Sequence, residues 1–155
     1  MPDDQEIIAR ATELIDSAFI GVMTTVDERG HPQARCIAAI ADSPQLYRLY
    51  SLTGRGTRKV EHLTATPRLC WAFRLPDDDA SVTVEGTAEL LPTSGLPESV
   101  WDRLIDYTVP YALPAMQKLR DERHTNFVSI VTEIEAIEYV SPDRGISSPR
   151  RVEPR

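Results

Sequence analysis

The chain has 155 residues, which sets the expectation of a single domain. Apolar residues make up 41% and charged residues 26%, a globular balance with enough material for a real core. The net charge of -7 argues against general nucleic-acid binding, which relies on a basic footprint.

Two cysteines, Cys36 and Cys70, form neither a CxxC nor a metal spacing, and both lie in apolar strand-like runs. They read as buried free thiols in a reducing cytoplasm. The chain begins MPDDQE, acidic where a signal peptide is basic, and no apolar run approaches the ~20 residues of a membrane helix. The expectation is a cytoplasmic protein that engages no membrane. His31, His62 and His124 are scattered, so surface or capping roles are expected and no metal site is assigned.

In chain order, residues 3–17 read as an amphipathic helix, with Asp3 and Glu6 at capping-box spacing and Ile7, Ile8, Ala11, Leu14, Ile15 and Ala18 on one face. Phe19–Val26 and His31–Ala41 read as a hairpin joined by a short connection ending in Gly30. Arg35 falls in mid-strand, where an arginine either snorkels to solvent or meets an anion. A third strand, Leu46–Thr53, feeds a loop and a short helix that starts at Thr57 and ends at Thr66-Pro67. Arg68–Leu75 and Ser81–Leu91 are the next strands, and Gly86 in the second marks a bulge or a close backbone approach. Residues 97–108 give a second amphipathic helix, and a shorter one runs to about Glu122 beyond Pro110 and Pro114. Tyr107, Tyr111 and Met116 read as core or interface packing with a pocket lining as the alternative. Asn126–Val140 is the last long strand.

These elements predict a mainly β fold with peripheral helices, a six-stranded antiparallel barrel over residues 1–141. Residues 142–155 carry three prolines, four arginines and little apolar content, and read as a mobile tail.

The stretch Leu46–Val60 contains no acid, while Arg55, Arg58 and Lys59 crowd beside Thr57 at a helix start. Backbone N–H groups, the helix dipole and nearby cations together suit a phosphate. An exposed, capped helix start with ordinary surface basics fits the same residues. No nucleophile–base–acid set is visible, and Asp77-Asp78-Asp79 lacks the glycine and glutamate spacing of a calcium loop. No catalytic side chain is assigned. A phosphate cradle without catalytic side chains commonly serves a cofactor that carries the chemistry.

Three segments, FIGVMTTVDERGHPQARCI, LYSLTGRGTRKVEHLTATPRLCWAF and VTVEGTAEL, resemble in order the pyridoxamine 5′-phosphate oxidase-like FMN-binding split-barrel superfamily, and within it the general stress protein group. The most specific piece is Thr53-Gly-Arg-Gly-Thr-Arg-Lys59, followed by the strand Val84–Glu89. The resemblance implies a split β-barrel homodimer with FMN in clefts at the interface. It implies that Arg58 and Lys59 bind the FMN phosphate with Thr57 at the helix start. Arg35, Cys36 and Ile37 would run along the flavin, and Ser51, Leu52 and Thr53 would contact its ring or ribityl chain. Trp71, Trp101 or Tyr111 of the second copy would close the cleft. The chain end, IEYVSPDRGISSPRRVEPR, lacks the Trp-x-x-Arg-Leu segment of the oxidase proper, which argues against pyridoxamine 5′-phosphate as substrate. The implied function is an FMN-dependent oxidoreductase passing electrons between NAD(P)H and a small-molecule acceptor. The alternatives are a flavin-buffering stress protein, or a haem-binding or deazaflavin-using relative, with His31 and His62 as candidate haem ligands.

Overall fold

The computed structural model describes residues 1–42, 44–108 and 121–154. Helix α1 (Asp4–Ala18) starts where the capping pattern predicts: the Asp3 carboxylate accepts the Glu6 N–H at 2.8 Å. Its apolar face, Ile7, Ile8, Ala11, Leu14 and Ile15, is buried.

Among the described residues eight strands follow: β1 (Ile20–Val26), β2 (Pro32–Ala38), β3 (Ile40–Ala41), β4 (Arg48–Gly54), β5 (Arg68–Arg74), β6 (Ser81–Pro92), β7 (Phe127–Ser141) and β8 (Ile146–Val152). Helix α2 (Arg58–Ala65) lies between β4 and β5, and α3 (Glu98–Thr108) follows β6. The strands run in the order β2-β1-β5-β6-β7-β4-β3, with β8 added on β7, and all pairs are antiparallel. The result is a mainly β split barrel with peripheral helices. The last turns expected before Glu122, with Tyr111 and Met116, lie outside the described residues, as does the side chain of Tyr107.

The strand count differs from the expected six for two physical reasons. The run His31–Ala41 breaks at Ala39, whose N–H donates to the Phe19 carbonyl, so β2 stays with β1 while β3 pairs with β4. Residues 142–152 are a turn and a strand rather than a loose tail. Pro142–Arg144 form a 3₁₀ turn, Gly145 takes φ 77°, and β8 pairs with β7. Two apolar anchors suffice, because Ile146 and Val152 sit on one face and are both buried. Asp79 holds the turn from below, accepting from the Ser141 hydroxyl and the Asp143 N–H.

Strand β7 carries three neighbours. Phe127–Glu133 pair with β4, Ile137–Ser141 reach β8, and the opposite edge pairs with β6 throughout. The β6–β7 register shifts between Glu85 and Gly86. A Cβ on Gly86 would stand 2.3 Å from the Glu133 carbonyl oxygen, so the close approach read from the sequence is real.

Two apolar clusters flank the sheet. The larger joins the α1 face to inward residues of the barrel, including Met23, Leu49, Leu69, Trp71, Phe73, Val82, Val84, Ile130 and Ile137. The smaller seats Val100, Trp101 and Leu104 of α3 against Phe19, Ile40, Tyr50 and Val131. Among the described residues, no helix is long and apolar enough to cross a membrane.

Strand alternation leaves one sheet face uncovered. Val22 lies opposite Cys36 and Ala72, and Thr24 opposite Ala34 and Cys70, all pointing outward. Ile20 and Val22 are 48% and 39% exposed. Both cysteines are free, but both are exposed on this face, not buried as expected.

Candidate functional site

The loop that leaves β4 folds back on itself before α2 begins. The Thr57 N–H and hydroxyl both donate to the Gly54 carbonyl, at 3.3 and 3.0 Å. Thr57 thus occupies the N-cap position with extended backbone, but its side chain caps nothing. Among the described residues, the N–H groups of Arg58 and Lys59 find no acceptor, so the first turn of α2 presents open donors.

Because the Thr57 proton goes to Gly54, Thr57 Oγ1 is free to accept from Thr53 Oγ1, 3.2 Å away. Thr53 Oγ1 in turn accepts from Lys59 Nζ at 2.9 Å. The ammonium is held over the end of β4 with further donors to spare. Arg55 is not part of this group: its backbone and guanidinium bond the carbonyls of Asn126 and Thr125.

Arg35 approaches from β2. Its register partner is Met23, so it shares the inward face of β1. Its Nη1 donates to Thr25 Oγ1 at 2.7 Å and to the Met23 carbonyl at 3.3 Å. Burial pushes the Arg35 guanidinium below its ordinary value, and Arg58 pushes the same way. Burial likewise lowers Lys59, with Arg35 and Arg58 adding repulsion. Among the described residues, none of these three cations forms an ion pair with a carboxylate. Three unmatched positive charges beside two open backbone donors are electrostatically complementary to a phosphate monoester dianion.

The remaining expected residues divide. Ser51 shares the inward face with Thr53, is fully buried, and among the described residues its hydroxyl has no partner. Leu52 faces the other way and packs on the α3 cluster. Ile37 is half-buried on the inner face beside Gly21, whereas Cys36 points to the outer face. Trp71 is not a cleft residue: it is 1% exposed, stacks on Phe73 and donates to Thr132 Oγ1 at 3.1 Å. Trp101 is buried too, with the Arg123 guanidinium 3.8 Å over its ring.

Sequence reasoning missed two members. Thr25 is fully buried, and its Oγ1 lies 2.9 Å from Nδ1 of His62. His62 is therefore a buried neighbour of the cation group and not a surface residue. For His62 alone, helical spacing from Arg58 and Lys59 was an available signal, since residues three and four apart share a face; nothing local marked Thr25. His31 is exposed, and His124 lies 3.0 Å from Thr93 Oγ1. Among the described residues, no cluster of potential metal ligands occurs.

Fold and site together define a split β-barrel protein with an acid-free cationic group at a helix start. The family model for pyridoxamine 5′-phosphate oxidase matches residues 7–141, and the chain belongs to that family. Among solved structures, general stress protein 26 from Bacillus anthracis str. Sterne is similar at 18% identity, covering 95% of this chain and 98% of that one, with a TM-score of 0.69. A general stress protein 26-related protein from Clostridium acetobutylicum is similar at 18% identity over 97% and 96%, again with a TM-score of 0.69. An FAD-binding protein from Mesorhizobium loti is similar at 20% identity over 84% and 91%, with a TM-score of 0.61. At such identities the likeness concerns the fold. No curated protein matches the chain.

Proposed function

We propose that this chain is an FMN-binding flavoprotein that acts as a flavin-dependent oxidoreductase on a small-molecule acceptor, with NAD(P)H as the electron source. The observation that carries the reading is the acid-free group of Arg35, Arg58 and Lys59 around the open donors of α2. Arg58 and Lys59 hold the FMN phosphate, with Thr57 and Thr53 fixing the loop beneath it. Arg35 supplies the third positive charge, and the half-buried inward residue Ile37 lies along the flavin side of the site. Bound FMN supplies hydride and single-electron chemistry, and the protein supplies binding, orientation and electrostatics. A second copy of this chain covers the outer β2–β1–β5 face, burying Ile20 and Val22, with the cofactor near the interface.

The test is reconstitution and absorbance. The purified protein takes up FMN, shows a bound-flavin spectrum, and binds riboflavin, which lacks the phosphate, far more weakly. Arg58→Ala with Lys59→Ala weakens FMN binding by a few kcal/mol, because each charge-assisted bond contributes ~1.5–3 kcal/mol. A colourless protein that cannot be loaded with FMN refutes the reading, and a Soret band would replace it with haem. NADH or NADPH oxidation by the loaded protein separates an oxidoreductase from a flavin carrier without turnover.

A further inference from the structure

Thr25 links two parts of the site that belong to different elements. It sits on β1 with no exposed surface, Arg35 reaches it from β2, and His62 reaches it from α2. Arg35 can only donate, so Thr25 Oγ1 is an acceptor toward the guanidinium. The hydroxyl has one proton to give. Among the described residues its only acceptor is Nδ1 of His62, 2.9 Å away. The opposite direction, with a protonated Nδ1 donating to Thr25, would leave the Thr25 hydroxyl proton unpaired in a fully buried position. The bonds therefore run in one direction, from Arg35 to Thr25 to His62. That assigns the lone pair to Nδ1 and the ring proton to Nε2.

Arg35 needs such a hold. Arg58 and Lys59 repel it, no carboxylate among the described residues draws it in, and its other acceptor, the Met23 carbonyl, is at the longer distance of 3.3 Å. A long cationic side chain under repulsion otherwise snorkels to water. We infer that His62 is a positioning residue: by taking the Thr25 proton it turns the Thr25 lone pairs to the guanidinium and so keeps Arg35 aimed into the cation group. This rests on reading that group as a phosphate cradle. In this role His62 acts on the site through Thr25 and Arg35. Its Nδ1 is committed to Thr25, which also removes that nitrogen as a haem ligand.

Two variants separate acceptor chemistry from shape. In His62→Asn the amide oxygen takes the place of Nδ1 and still accepts from Thr25. In His62→Leu the volume is kept and the acceptor is lost. The expected FMN dissociation constant rises about 10-fold for His62→Leu, about 1.4 kcal/mol, and stays within about threefold of the parent for His62→Asn. In an Arg35→Met background, His62→Leu changes the constant less than about twofold, because the two residues act as one unit. Equal losses for both His62 variants, or full additivity with Arg35→Met, overturn the inference.

Two ligand-free readouts keep this independent of whether FMN binds. Nitrogen-15 NMR of the histidine rings is expected to show His62 of the parent protein protonated at Nε2 only; an Nδ1–H form overturns the relay without any variant. The Arg35 Nη protons are expected to give separate signals in the parent and in His62→Asn, and one averaged signal in His62→Leu. Separate signals in His62→Leu refute the positioning role. A parent protein that shows the Nε2 proton and separate Arg35 signals but binds neither FMN nor inorganic phosphate sinks the cradle and leaves the relay standing.

Discussion

Lysine 59 offers a sharp separation of stability from binding. Lys59→Met keeps the length of the stem and deletes the charge. In the free protein the substitution removes one charged hydrogen bond, to Thr53 Oγ1 at 2.9 Å, worth ~1.5–3 kcal/mol. It also removes the burial of an ammonium and its repulsion by Arg35 and Arg58, the causes that lower its pKa. Thr53 keeps a partner in Thr57 Oγ1, so no orphan hydroxyl is created. The two effects oppose each other, and the expected change in unfolding free energy is within about 1 kcal/mol of zero. Binding loses the charge-assisted contact with no offset, so FMN affinity falls by ~1.5–3 kcal/mol, roughly 10- to 160-fold. Urea unfolding of the free protein and flavin fluorescence titration measure the two quantities. A loss of more than about 2 kcal/mol in stability with unchanged FMN affinity would show that Lys59 is a structural residue, and the cradle would be wrong.

Other perturbations probe the frame and the charge state. FMN affinity is full while Lys59 is protonated and falls as pH rises through its titration, which lies below the usual 10.5; a titration flat in pH up to that value contradicts the placement. Trp71→Phe strands the buried Thr132 hydroxyl and lowers stability by ~1–3 kcal/mol while leaving FMN affinity unchanged, as thermal melts and titrations will show. Gly86→Ala drives a Cβ into the Glu133 carbonyl and lowers stability by about 3 kcal/mol in denaturant unfolding, with a parent-like midpoint as the refuting result. Deleting residues 142–155 removes the buried side chains of Ile146 and Val152, a loss of ~3–6 kcal/mol by the same assay, and a truncation as stable as the parent would return these residues to a loose tail.

Much of the scaffold was legible because local pattern and tertiary role agree. Asp3, the α1 face and the alternation of Arg68–Arg74 and Ser81–Leu90 all follow from spacing. The loop from Thr53 to Lys59 was legible because glycines, a threonine and adjacent cations act within one short segment. What escaped depends on distant parts of the chain. Strand β8 carries only two apolar anchors, and its pairing is supplied by β7 and Asp79, so composition alone reads as disorder. Trp71, which the resemblance offered with Trp101 and Tyr111 as a residue of the second copy closing the cleft, alternates on β5 into the barrel with Leu69 and Phe73. The cysteines fall on the outward phase of their strands. His62 meets Thr25 only because α2 packs on β1, a contact that no spacing rule within α2 contains.

The position of β7 in the chain has a consequence for biogenesis. Strand β4, which delivers the loop of the cation group, pairs early only with the two residues of β3; its main partner runs from Phe127 to Glu133. During synthesis, β1, β2, β5 and β6 can pair with one another before β7 leaves the ribosome, but β4 cannot complete its ladder. The site is thus assembled by closing a long loop only after β7 has emerged, a step with high entropic cost and slow kinetics. The nascent chain therefore passes through a stage with only the β2–β1–β5–β6 part of its sheet formed and its cationic loop unanchored. A ligand that prefers the finished site acts as a late clamp on folding and not as an early template.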